Sequence, residues 1–288
     1  MAEFAGRTGT QDRRRWPTAV VPVSAQAVRD GRWALVTARS YGTTVYRVDG
    51  AAGRGGYYVK ATAACDPDDL RFSPAGEAAR LTWLSQQGFP VPEVVEVGAG
   101  SGLAWLVTTA IEGRSAALRW SAADQGPVLD VVADFTRALH GLPAAGCPFD
   151  RTLAVSLPRI RAGALAGRVD LDDLDATHAG WTVQQLLDQL DATQAPAEEH
   201  IVVCHGDLSL DNILIAPDAV TLAGVLDAGR FGTADRWLDL AVILRNLGGE
   251  CPGWESGPGH PGRFLRRYGL AEADNLRLDY YRLLDEFI

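Results

Sequence analysis

The chain predicts an α+β fold in two lobes, β-rich over residues 1–112 and mainly helical over residues 113–288. Three observations lead there. Short apolar or alternating runs dominate as far as Ile111; apolar residues recur at helical spacing after Gly113; and the last strand of the first half runs straight out into Glu112-Gly113. The 288 residues, 47% of them apolar, suffice for a sizeable core and exclude a disordered chain. The longest apolar runs, such as Leu238 to Leu244, are short, so no segment is expected to span a bilayer.

In order, the start is irregular. Arg13-Arg14-Arg15 ahead of a few apolar residues faintly mimics a secretion signal, but the apolar part is short and contains Pro17 and Pro22. A cytoplasmic protein is the expectation. Trp33 to Thr37 and Thr44 to Val48 read as strands joined by the small-residue turn Ala38 to Thr43. Such a turn can lay backbone N–H groups over phosphates, though its single glycine fits a plain hairpin equally well. Gly55 to Ala61 is a third strand ending near Lys60. Ser73-Pro74 supplies an N-cap and a first-turn proline for a helix that buries Ala78, Leu81, Trp83 and Leu84 and stops at Gly88. Val94 to Val97 and Leu103 to Ile111 are the next strands, and Gly113 is the natural hinge. Beyond it, Val128 to Leu142, Leu157 to Leu165, Val183 to Leu190, Trp237 to Leu247 and Leu276 to Phe287 carry helical periodicity. Gly248 to Gly262, rich in Gly and Pro, reads as a loop.

The chemistry concentrates in Val202 to Ile215, a buried strand, a polar loop and a second buried strand. His205, Asp207 and Asn212 follow the protein-kinase spacing H-x-D-x-x-x-x-N, and the apolar run Val220 to Leu226 ends in Asp227-Ala228-Gly229, a D-x-G. Phosphoryl transfer needs this division. Two oxygen donors, Asn212 and Asp227, can hold Mg²⁺ on ATP phosphates. A separate carboxylate, Asp207, must face the acceptor hydroxyl and take its proton, because a metal-bound carboxylate is a poor base. The plain alternative is a β-hairpin whose polar loop only caps its strands. In the kinase pattern Glu77 would reach back to Lys60, and the backbone near Thr109 and Ile111 would bind adenine. Without that context Glu77 simply complements the dipole of its helix. His205 reads as a structural residue holding the loop, so transfer would be direct, with no phosphoenzyme.

Composition narrows the partners. Residues 1–112 carry 12 basic and 11 acidic side chains, residues 113–288 carry 15 and 25. An acidic carboxy-terminal half argues against nucleic acid and suits a cationic partner, although solubility alone also accounts for it. Of 27 basic residues one is lysine, Lys60. In so arginine-rich a chain, a surviving lysine suggests a place where a compact ammonium serves and a planar guanidinium does not. The cysteines, Cys65, Cys147, Cys204 and Cys251, lie far apart and indicate neither zinc nor a disulfide framework.

The chain resembles the aminoglycoside phosphotransferases from about Trp33 to its end. Cys147 to Asp150, Val169 to Asp175, Val202 to Asp207, Asp227 to Arg236 and Tyr281 to Ile288 look like the kanamycin/neomycin 3′-kinases, while Thr109 to Ile111 and Gly232 to Arg236 also look like the streptomycin 3″-kinases. The resemblance implies a bilobal protein-kinase-like fold, ATP with Mg²⁺, a cationic aminoglycoside as substrate, and a monomer with no nucleic-acid or membrane partner. It implies Asp207 as catalytic residue and Asn212 and Asp227 as metal ligands. It places Ser40, Lys60, Glu77, Thr109 and Ile111 at the nucleotide. The antibiotic would meet Asp173, Asp175, Arg230, Arg245, Asp285, Glu286 and the Ile288 carboxylate.

Ala176, Thr177, Asn246 and Gly249 stand where the kanamycin-type group usually has acids, which thins the cation-binding surface, and Asp211 stands where a proline often precedes the metal Asn. The expected activity is ATP-dependent phosphorylation of an aminoglycoside at the 3′-hydroxyl, conferring resistance. The alternatives are a streptomycin 3″-type or other small-molecule antibiotic kinase, and a non-catalytic pseudokinase scaffold.

Overall fold

The computed structural model describes residues 21–39, 42–50, 55–63, 72–251, 253–254 and 259–288. The irregular start, Ser40 and Cys65 lie outside the described residues.

An antiparallel five-stranded sheet builds the amino-terminal lobe. Its strands are β1 (Arg32–Ala38), β2 (Thr44–Asp49), β3 (Gly56–Ala63), β4 (Val94–Gly100) and β5 (Leu103–Thr109), in the order β1-β2-β3-β5-β4. A short helix, α1 (Gln26–Arg29), precedes it. The turn chemistry predicted at Ser73 is present: its hydroxyl accepts the Gly76 N–H and opens α2 (Pro74–Gln86). The register of β3 opposite β2 and β5 pairs Lys60 with Val45 and with Leu106. That places Lys60 at the centre of the sheet, beneath α2.

Helices dominate the rest: α3 (Ala122–His140), α4 (Leu153–Leu165), α5 (Val183–Ala192), α6 (Trp237–Arg245), α7 (His260–Tyr268) and α8 (Asn275–Asp285). Helix α7 begins inside the stretch read as a loop. Pro261 in its first turn was the available signal, masked by the surrounding glycines. Helix α3 continues through Pro127 in its second turn, without the bond that a backbone N–H there would make to the Ala123 carbonyl. The main core joins α3, α6, α7 and α8 around Leu129, Val132, Leu240, Ile243, Phe264 and Tyr280.

The polar loop is not a hairpin turn. Its incoming strand β7 (Ile201–Cys204) pairs with β10 (Gly232–Asp235), while its outgoing strand β8 (Ile213–Ile215) pairs with β6 (Arg114–Ser115) and β9 (Leu222–Val225). The loop therefore bridges two small sheets, and β9 delivers Asp227 beside it. Among the described residues, no helix is long and apolar enough to cross a membrane.

Candidate active site

A cleft of about 630 Å³ opens between the five-stranded sheet and the helical lobe. Lys60, Glu77, Thr109, Ile111, Asp207, Asn212, Asp227 and Arg230 all line it. Lysine 60 reaches Glu77 Oε1 at 2.8 Å and Oε2 at 3.0 Å, and Asp227 Oδ1 at 2.8 Å. Glu77 is buried in the first turn of α2, so the helix start and the sheet centre are joined by a desolvated pair. Burial pulls the Lys60 pKa down, but the carboxylates of Glu77 and Asp227 outweigh it and raise it, so the ammonium stays charged. The same ammonium is the main reason that the Asp227 pKa is lowered.

Asp227 adopts a left-handed backbone, φ 58° and ψ 52°, which is uncommon for a residue with a side chain. The conformation ends β9 abruptly and brings the carboxylate to Lys60. On the polar loop, Asn212 donates through Nδ2 to the Asp207 carbonyl at 2.9 Å. That bond commits the amide nitrogen and leaves Oδ1 as the atom available to an ion. Asp227, which meets Lys60 through Oδ1, lines the same cleft, so the donors the two residues offer are the hard oxygens that Mg²⁺ prefers. Burial raises the Asp207 pKa, offset in part by Arg230.

The loop is held from below. Asp239, fully buried in α6, accepts the His205 N–H at 2.7 Å and the Gly206 N–H at 2.8 Å, and stands 3.1 Å from His140 Nε2. His205 is also fully buried and donates through Nε2 to the Leu226 carbonyl at 2.8 Å, tying the loop to the strand that carries Asp227. It is a strut. Gly206 has φ +85°, and a Cβ there would stand 2.2 Å from the Arg230 carbonyl oxygen, so no other residue fits. Asp239→Ala would strand two buried N–H donors, at ~1–3 kcal/mol each. The expected result is a lower denaturation midpoint in urea with an unchanged m-value, accompanied by loss of activity.

Two further braces act on the turn Leu210–Asn212 that carries the metal-ligand candidate. Asn246 Oδ1 accepts the Leu210 N–H at 2.9 Å, and Ser115 Oγ lies 3.2 Å from Asp211 Oδ1. Both positions are departures noted in the sequence; here an amide and a hydroxyl–carboxylate contact hold the turn.

The opposite wall gathers the residues expected at the substrate. Asp285 receives Arg245 at 2.8 Å and Arg230 at 3.4 Å, and Arg230 also donates to the Ile288 main-chain oxygen at 2.7 Å. Asp173 and Glu286 line the cleft as well. Asp175 stands behind the lining, with its N–H on Glu286 Oε2 at 3.0 Å. Arg39 and Thr43, which flank Ser40 and the neighbouring undescribed residue, face the cleft, and the Arg39 guanidinium lies 4.0 Å from Asp173. Phe72 and Arg168 also line the cleft, and His178 stands 2.7 Å from Glu286 Oε1; with Arg39, these are residues that the sequence did not single out. Phe72 and the arginines carry no motif, and His178 shows its role only through its partner.

Known proteins resemble this chain over most of its length. A family profile described as "Phosphotransferase enzyme family" matches residues 37–280. An aminoglycoside 3′-phosphotransferase of Streptomyces fradiae is 42% identical over 255 residues, covering 88% of this chain and 94% of its own. A streptomycin 3″-kinase of Streptomyces griseus is 36% identical, covering 88% and 92%. Among solved structures, an aminoglycoside 3′-phosphotransferase of type VIII superposes with TM-score 0.80 at 42% identity, covering 90% of this chain and 94% of that one. An aminoglycoside phosphotransferase of Streptomyces rimosus, solved with ADP and streptomycin, superposes with TM-score 0.73 at 32% identity, covering 90% and 93%.

Proposed function

We propose, from the premise that this chain belongs to the aminoglycoside phosphotransferase family, that it transfers the γ-phosphoryl group of ATP to the 3′-hydroxyl of an aminoglycoside and so confers resistance. One observation carries the reading. Lys60, Glu77 and Asp227 form a single contact network beside Asp207 and Asn212, in a cleft whose far wall bears Asp173, Asp285 and Glu286. Residues 1–112 serve as the nucleotide-binding lobe, and residues 113–288 as the catalytic and substrate-binding lobe.

Each residue then has a task. Lys60, fixed by Glu77, meets the α- and β-phosphates, to which the family resemblance also assigns Ser40, and the backbone at Thr109 and Ile111 receives adenine. Asn212 Oδ1 and the Asp227 carboxylate hold Mg²⁺, which when bound neutralises charge on the phosphates. Asp207 accepts the proton of the substrate hydroxyl as its oxygen bonds to phosphorus and ADP departs. A loose transition state leaves little covalent work to the protein, so positioning and charge account for most of the acceleration. Asp173, Asp285, Glu286 and Ile288 face the ammonium groups, with Asp175 behind them on Glu286 and with Arg230 and Arg245 setting the orientation of Asp285. An exposed pair contributes only ~0.2–1 kcal/mol, so several must converge.

A streptomycin 3″-type activity is the second reading. Ala176, Thr177 and Gly249 favour it, because they remove acids from the wall that would grip a deoxystreptamine. ADP release across a panel of aminoglycosides, followed by the mass and phosphorylation site of the kanamycin and streptomycin products, separates the two. The expected result is kanamycin phosphorylated at the 3′-oxygen. Turnover of streptomycin with none of any deoxystreptamine compound would reverse the assignment.

A further inference from the structure

Glu286 faces the cleft, yet its carboxylate is gripped from behind. Its side chain is 4% exposed. Oε2 accepts the Asp175 N–H at 3.0 Å, and Oε1 lies 2.7 Å from His178 Nδ1. An ionised carboxylate can only accept, so His178 is the donor. Both donors belong to one turn. Thr177 N–H donates to Asp175 Oδ1 at 2.7 Å, His178 N–H donates to the Asp175 carbonyl at 2.8 Å, and Trp181 packs edge-on against the imidazole with ring centroids 4.7 Å apart. The turn is thus closed on itself and joined to the carboxy-terminal segment through Glu286. Residue 178 and residue 286 are 108 positions apart in the chain, so this contact joins the acidic segment 170–175 to the end of α8.

The two neighbouring carboxylates are treated differently. Asp285 meets two guanidinium groups, which offset its charge. Among the described residues, His178 is the one side chain that hydrogen-bonds Glu286. An imidazole can donate from Nδ1 without carrying a charge; a guanidinium cannot. A buried carboxylate needs hydrogen-bond donors, and the Asp175 N–H and the His178 imidazole supply them.

We propose that His178 is a positioning residue for substrate binding: its Nδ1–H holds the Glu286 carboxylate aimed into the cleft, and thereby fixes the acidic turn and the carboxy-terminal segment as one wall for an ammonium-bearing sugar. The inference rests on Glu286 facing the substrate, as proposed above. His178 touches neither the phosphate side nor Asp207, so its removal weakens binding of the sugar and leaves phosphoryl transfer itself intact.

The test is steady-state kinetics with kanamycin and ATP on the wild type, H178A, H178N, E286Q and H178A/E286Q. Asparagine places an uncharged N–H donor close to the position of Nδ1. Loss of a hydrogen bond to a charged group predicts a kanamycin KM raised about 10-fold in H178A, with the ATP KM and kcat held within about twofold. H178N should recover most of the loss, and H178A/E286Q should be no worse than E286Q, because His178 acts through that carboxylate. Should H178A fail to fold, a kanamycin KM in H178N as high as in E286Q would overturn the proposal. So would a raised KM in E286Q with H178A unchanged, which leaves the substrate reading standing. An unchanged KM in E286Q would overturn both the proposal and the placing of Glu286 at the substrate. No turnover of kanamycin by the wild type would overturn the proposed 3′ activity itself.

Discussion

Asp207→Asn is expected to lower kcat by about 10²–10⁴-fold, the usual contribution of a positioned general base. Asparagine matches the carboxylate in size and cannot accept the hydroxyl proton. The bond that orders the loop is made to the main-chain oxygen of Asp207, from Asn212 Nδ2, and the supports from Asp239 fall on His205 and Gly206. None of these uses the Asp207 side chain. The variant should therefore unfold at the temperature of the wild type and bind ADP with unchanged affinity by calorimetry, while ADP release in the presence of an aminoglycoside nearly vanishes. The pH profile adds a second reading of the same group. Burial raises the Asp207 pKa, so its protonation begins at higher pH than for an exposed aspartate. A protonated carboxyl has no vacancy for another proton. Activity should accordingly fall as pH is lowered through that raised value, and rise to a plateau above it. Retention of wild-type kcat in Asp207→Asn would leave the loop as a nucleotide-binding scaffold and revive the non-catalytic reading.

Much of this site was legible because phosphoryl transfer imposes fixed spacings on a loop. Asp207 and Asn212 sit in one short segment, and the strand ending at Asp227 follows at a distance set by β8 and β9. Lys60 was visible for a different reason, as the one lysine among 27 basic residues. Helix α2 announced itself through Ser73 and Pro74. What stayed hidden depends on contacts between residues far apart in the chain. The pairing of β7 with β10, from Gly232 opposite Cys204 to Asp235 opposite Ile201, could not be told from a hairpin by alternation, which reports burial and not partner. The role of Glu286 at the substrate wall was inferred from likeness, but that its oxygens are already held by residues 175 and 178 is a fact of tertiary structure. Asn246, read as a loss from a cation-binding surface, and Asp211, read as standing where a proline often precedes the metal Asn, both sit on the brace of the catalytic turn.

Lys60→Ala should be the most destabilising single change at the site. The ammonium bonds both Glu77 oxygens and Asp227, and the Glu77 side chain is 3% exposed. Removing one member of a buried pair leaves the other charged without compensation, at ~3–5 kcal/mol. Phe72, whose ring centroid lies 5.5 Å from Nζ, loses a cation contact in the same step. If that account is right, the cost resides in the abandoned carboxylate and not in the missing methylenes. Adding Glu77→Ala to Lys60→Ala should then return part of the stability, a coupling that a double-mutant cycle in urea measures directly. Lys60→Arg separates charge from shape: it keeps the positive charge but replaces a compact ammonium with a planar fork that does not fit between Glu77, Asp227 and the phosphates. Stability should be lost only in part, while kcat/KM for ATP falls about 10²-fold, the scale on which a misplaced electrostatic donor acts. Equal stability of Lys60→Ala and the double variant would mean that Glu77 finds another partner or water, and that the lysine is held in place for the nucleotide alone.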